Sequence, residues 1–150
     1  MAITTASKIA DYFLYIANDT GSFLSNLKLQ KLVYYAGAWY LALYNTPLFD
    51  EDFEAWTHGP VMISLYEKYK PFGWKPILKE VKKPEFPKDV EDFLEELTQV
   101  YFIRESLELE MMTHREEPWI KARNGVPLDE PSHAIISQQA MKEYYKARAA

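Results

Sequence analysis

The chain predicts a mainly α fold, a compact helical domain of about six helices with at most a small two- or three-stranded β element. Three observations carry this. Apolar residues recur at three- and four-residue spacing through most of the chain. Proline, glycine, serine and asparagine interrupt these runs where helices would begin and end. Only two short stretches, residues 50–57 and 76–81, break the helical rhythm. At 150 residues, 48% of them hydrophobic, the chain has the size of one domain (residues 1–150) and enough apolar material for a core.

The first helix is expected over residues 5–18, with Ile9, Tyr12, Phe13 and Ile16 at helical spacing and Asp19-Thr-Gly-Ser as the stop. A longer helix follows over 27–44, where Leu29, Leu32, Val33, Ala36, Trp39, Tyr40 and Leu43 keep the rhythm until Asn45-Thr-Pro ends it. His58-Gly-Pro reads as a turn, with Gly59-Pro60 launching a third helix that reaches Tyr69. Residues 76–81, PILKEV, form a plausible edge strand that could pair with residues 54–57. A fourth helix is expected over 87–103, with Phe93, Leu94, Leu97, Val100 and Tyr101 facing inward, and a fifth over 105–112. Pro118 opens a short helix that stops near Asn124-Gly125, and Ser137 caps a last helix over 138–148.

Composition narrows the function. There are no cysteines, so disulfides, thiolate catalysis and cysteine-based zinc sites are excluded. No run of eighteen apolar residues suggests a membrane span, and the N-terminal residues lack a basic segment followed by an apolar run, so a cytoplasmic protein is expected. The net charge of −5 argues against direct nucleic-acid binding, which needs clustered cations. The charge is uneven: residues 67–83 hold six lysines against two glutamates, while residues 84–110 hold nine acids against two bases. Such polarity either solvates two faces or steers a charged protein partner. Eleven tyrosines, eight phenylalanines and four tryptophans exceed ordinary core needs, and tyrosine and tryptophan dominate binding hot spots.

Catalytic patterns are sparse. No HExxH, GxSxG, P-loop, GxGxxG or EF-hand pattern is present. A metal-dependent hydrolase built on His58, His114, Glu116 and Glu117 is the minor alternative, weighed against a turn histidine at 58 and a helix-end histidine at 114. The chain is not expected to be an enzyme, and no cofactor or metal is assigned.

Four stretches together resemble one family: LKLQKLVYYAGAWYLAL (27–43), PLFDEDFEAWTHGPVMISLYEKYK (47–70), LTQVYFIRESLELEMMTHREEPWIKAR (97–123) and ISQQAMKEYY (136–145). They resemble the SocA/GepA-like proteins, also called the Panacea antitoxin domain and often labelled phage-associated proteins. The resemblance implies a mostly helical antitoxin of bacterial or phage toxin–antitoxin modules, neutralising a cognate toxin by direct protein–protein binding. The alternative within it is a proteolytic adaptor that delivers the toxin to a ClpXP-type protease. Matching the family pattern are Leu29, Gln30, Lys31, Leu32, Tyr34, Tyr35, Trp39, Ala55, Trp56, Gly59, Pro60, Val61, Tyr66, Thr113, His114, Pro118, Trp119 and Arg123, most of them read as fold-defining. Where this chain has His58, the family often has tyrosine or lysine. Trp56-Thr-His-Gly-Pro is then a rigid corner with Trp56 in the core. Partner contacts are expected from Tyr15, Tyr34 and Tyr44, with Lys79, Lys82 and Lys83 steering the approach. A terminal Ala149-Ala150 is weighed as a protease-recognition end against a plain helix terminus.

Overall fold

The computed structural model describes residues 2–149. Among them, seven α-helices and one two-stranded antiparallel sheet follow in the order α1 (Ala6–Thr20), α2 (Asn26–Tyr44), β1 (Glu54–Trp56), β2 (Gly59–Val61), α3 (Ile63–Tyr69), α4 (Lys88–Tyr101), α5 (Ser106–His114), α6 (Glu117–Arg123) and α7 (Gln138–Ala149). A 3-10 turn, Lys70–Phe72, extends α3. The mainly α expectation holds, and the seven helices correspond to the seven helical stretches expected, against the round total of about six. Ala150 lies outside the described residues, and with it the question of a terminal Ala-Ala signal.

Helix ends obey local chemistry. The Thr5 hydroxyl accepts from the Lys8 N–H at 3.2 Å, Ser25 from Lys28 at 3.2 Å and Ser137 from Ala140 at 3.1 Å. The first helix runs two residues past the expected stop, because the left-handed turn falls on Gly21 (φ 67°). Asn45 closes α2 the same way, its N–H donating to the Leu41 carbonyl at 2.9 Å.

Helix α2 is the axis of the fold, with α1, α3, α4, α5, α7 and β2 packed around it. Every residue from Leu29 to Ala36 is at most 1% exposed. A helix buried on all faces does not show a single apolar stripe, and this one includes Gln30, Lys31, Tyr34 and Tyr35 among its enclosed residues.

The hairpin corrects three expectations. Trp56 and Gly59 pair across a two-residue turn, so Gly59-Pro60 belongs to a strand and α3 starts only at Ile63. Pro60 stands opposite Ala55. The Ala55 N–H donates to the Ala134 carbonyl at 2.8 Å and its carbonyl accepts from Arg123, so the N–H that proline lacks is not needed in the pair. Residues 134–136 thereby cover the outer edge of β1, with Ile136 N–H donating to Phe53 O at 2.8 Å. With that edge taken, residues 76–81 have no strand to join. They form only a bridge from Pro76 to Ser25 and a 2.9 Å bond from Ile77 N–H to Leu24 O, with Ile77 buried and Leu78 80% exposed. Trp56 is half-buried at the sheet surface, its indole N–H donating to Glu54 at 2.9 Å.

Candidate interaction surface

Two clusters of the family-pattern residues form inside the molecule. The first surrounds the hairpin. Gln30, 0% exposed, accepts from the Met62 N–H at 3.0 Å and donates to Asn26 at 3.0 Å, which satisfies the uncapped start of α3. Lys31 is also fully enclosed, and its Nζ has no hydrogen-bond partner among the described residues. Burial brings its pKa down to about 8, against the opposing pull of Glu110. Gly59 has φ 105°, and a Cβ built there would lie 2.9 Å from both Lys31 Cε and Thr113 Oγ1. Glycine is therefore required by backbone and by space alike.

The α5–α6 corner locks the hairpin from the other side. Thr113 Oγ1 donates to Glu110 O at 2.7 Å, and the His114 ring stacks on Trp119 at 4.1 Å and 20°. Burial lowers the His114 pKa. Trp119 donates to the Trp56 carbonyl at 2.8 Å, and the Arg123 guanidinium donates to the carbonyls of Ala55, Pro127 and Glu130. These charged and aromatic side chains read as joinery: each ties a loop or strand carbonyl to a helix.

The second cluster fills the seam between α2 and α7. Tyr35 and Tyr145 both donate to Glu116 Oε1, at 2.8 and 2.7 Å, and Tyr145 lies 3.3 Å from the Tyr34 hydroxyl. Tyr35 stacks on Tyr101 at 4.2 Å, and Trp39 Nε1 donates to the Tyr101 hydroxyl at 2.7 Å. Burial raises the pKa of Glu116, while the two tyrosine hydroxyls act the other way. Burial also raises Tyr34 and Tyr35 and pushes Tyr101 up to about 12, so all three are neutral donors at physiological pH.

This seam corrects the expectation for Tyr34. It is 1% exposed, with its ring edge-on to Tyr35, Phe53 and Tyr145, so no partner reaches it in the folded chain. The all-round enclosure of α2 hides this from a helical-wheel argument. Tyr15 is half-buried on α1, and Tyr44 is 51% exposed at the end of α2, resting against Tyr40 and Phe93. Lys79, Lys82 and Lys83 are exposed in the irregular segment after α3. Lys79 sits over the Tyr69 ring at 5.7 Å, and its carbonyl accepts from Asn18 of α1 at 2.8 Å. Tyr44 and the lysine strip thus rest on different elements.

Of the four residues of the hydrolase alternative, His58 and His114 line one surface cavity with Glu110, while Glu116 and Glu117 lie apart from it. His58, on the hairpin turn, is 3.1 Å from Glu110, and Glu116 is held in the tyrosine seam. Glu117 is exposed and faces Lys121 at 3.5 Å. Among the described residues, no three His, Cys, Asp or Glu side chains are grouped so that they could hold a metal ion. No helix of the structure is long and apolar enough to cross a membrane.

What sequence reasoning missed is a groove on the surface between α2 and α4. Trp39 and Leu43 form one wall, Phe93, Leu97 and Val100 the other, with Tyr101 at the end and Glu96 on the rim. Leu43 and Val100, both expected to face inward, are 49% and 50% exposed. A signal was available: each residue stands in the last turn of its helix, one at the end of α2 and one at the end of α4, where packing partners run out.

A family model described as antitoxin SocA-like, Panacea domain matches residues 29–120, which include the groove and the hairpin itself with Gln30, Lys31, Thr113 and Trp119 around it. No curated protein and no solved structure matches the chain.

Proposed function

We propose, since this chain belongs to the antitoxin SocA-like, Panacea domain family, that it is the antitoxin of a toxin–antitoxin module and neutralises a cognate protein toxin by binding it directly. The observation that carries the reading is the family match over residues 29–120. The architecture is compatible with a binding role. Buried Gln30, Arg123 and Tyr145 are engaged in holding the hairpin and the α2–α7 seam, and its half-exposed apolar residues border an open surface. Neutralisation by masking needs an interface of about 1,600 Å² in total, built on a few desolvated anchors inside a polar rim.

Co-expression tests this. Each small open reading frame adjacent to the gene is induced alone and together with this chain. One neighbour is expected to arrest growth, to be relieved by the chain and to co-purify with it. A set of neighbours of which none is toxic, or none is relieved, refutes the reading. Toxin abundance during rescue separates two routes: masking leaves the toxin plentiful, whereas delivery to a ClpXP-type protease depletes it.

A further inference from the structure

We infer that the α2–α4 groove is the toxin-docking site and that it takes the apolar face of a basic amphipathic helix; this rests on the antitoxin reading. Size is the first argument. The cavity is about 220 Å³. That is below the usual range of small-molecule sites, roughly 300–1,000 Å³. It suits one or two apolar anchors projecting from a helix, the mode in which residues at i, i+3, i+4 and i+7 enter a groove.

Chemistry of the walls is the second. Leu43 and Val100 leave half their surface in water on opposite walls, and Tyr44 continues the apolar edge beside Phe93. Half-exposed aliphatic side chains lining one concave strip, with a tyrosine at its edge, gain from being covered because apolar area leaves water.

Charge selects the occupant. Asp89, Asp92 and Glu96 are spaced by three and four residues, which places them along one side of α4, and all are exposed. Lys88 offsets Asp92 at 2.7 Å. Glu96 is the charged residue of the groove wall, and Asp89 lies close enough to Tyr40 to act on its hydroxyl. Two bases stand at the Tyr101 end and act on its hydroxyl: Arg104, which donates to the Val100 carbonyl at 2.9 Å and pairs with Glu108 at 2.6 Å, and Arg148, which lies over the Tyr144 ring at 4.9 Å. The groove is therefore acidic along the side of α4 that carries Asp89, Asp92 and Glu96, and cationic at its Tyr101 end, where Arg104 is already paired with Glu108. A helix flanked by lysine or arginine matches that field, and an acidic one is repelled.

Two probes test the inference separately from the antitoxin reading. The first is a synthetic helical peptide of about four turns, with leucine at i, i+3, i+4 and i+7 and lysine on its flanks. A control keeps the leucines and carries glutamate instead. The expected result is amide shift changes in the full chain at Leu43, Phe93, Leu97 and Val100 with the basic peptide, weakening as salt rises, and none with the acidic peptide. The second probe is the toxin found by co-expression, presented to the double variant Leu43→Asp/Val100→Asp. Added acids attract a basic helix, so a loss of binding reports the apolar contact. At least a tenfold loss of toxin co-purification is expected, at an unchanged melting temperature.

The inference is overturned by basic-peptide shifts that fall elsewhere, or by undiminished toxin capture by the double variant. Undiminished capture leaves the antitoxin reading intact. If no neighbouring gene is toxic, that reading fails, and the peptide shifts alone decide whether the groove takes a basic helix.

Discussion

The two ends of α2 behave as different materials. Its first half carries glutamine, lysine and two tyrosines, yet Leu29 to Ala36 are at most 1% exposed. Its second half carries mostly apolar residues, yet Leu43 and Tyr44 stand about half in water. Polarity along the helix thus runs opposite to what burial alone would select. The difference teaches where each kind of side chain is used. Around the hairpin, polar groups are enclosed because they satisfy backbone atoms of neighbouring elements, as Gln30 does for Met62 and Arg123 for Ala55. At the groove, apolar groups are left open because none of the described elements covers them. The first region is organised for stability and the second is available for contact.

The comparison can be broken most forcefully at the enclosed end. Tyr34→Ala empties a fully buried site beside Phe53 and Tyr145, and should cost about 3–5 kcal/mol in chemical denaturation. A variant as stable as the parent would show that Tyr34 is a surface residue after all. Arg123→Ala comes next, at about 3 kcal/mol, because three carbonyls lose their donor. Equilibrium unfolding of Arg123→Lys alongside it reports whether the guanidinium fork itself is needed, since a lysine cannot span all three.

Gly59→Ala should lose about 2 kcal/mol, through the disfavoured φ and the collision with Lys31 and Thr113. A companion Gly59→Ala/Lys31→Ala chain, which removes the colliding Cε, sharpens the assignment, because relief of the collision should return part of that loss. Non-additivity near zero would detach Gly59 from Lys31.

Lys31 supplies a pH signature. Its pKa is about 8 when folded against an ordinary 10.5, so between those values the unfolded chain holds the extra proton. Stability should therefore climb as pH rises from 8 towards 10, by at most about 1.4 kcal/mol per pH unit. Above pH 10 the buried tyrosines, whose pKa values are raised, act in the opposite direction as the unfolded chain ionises first. Lys31→Met should flatten the climb between pH 8 and 10, and an unaltered slope would place the proton elsewhere.

The smallest stability effect belongs to the open end. Leu43→Asp and Val100→Asp, measured singly by thermal melting, should each stay within about 0.5 kcal/mol of the parent. A large drop would mean that the groove is core and would dissolve the contrast between the two ends.

Much of this was legible in the chain. Three serine and threonine caps, the glycine and asparagine stops and the three-four rhythm place most helix ends within a few residues. The dense polar and aromatic motif at 113–123 was legible as fold-defining. The hairpin was not, because each of its strands is three residues long and one contains proline. Alternation over three residues carries little information. Its pairing depends on residues 134–136 covering β1 and on Arg123 reaching Ala55, contacts separated by about half the chain. Tyr34 was misplaced for a related reason. A helical wheel assigns one inner face, and the enclosed first half of α2 has no outer face to set against it.

The sequence by itself determined the helical class, the capping chemistry, the absence of thiol chemistry and the polarity of charge between 67–83 and 84–110. These follow from local rules, in which a residue and its neighbours within a turn suffice. Tertiary structure alone decided which tyrosines are enclosed, why Lys31 lies beside a glycine, and that Leu43 and Val100 line opposite walls of one groove. Each of those depends on what another segment covers. Burial is a property of the whole packed chain, and an apolar residue at helical spacing becomes core only where a partner element is long enough to reach it.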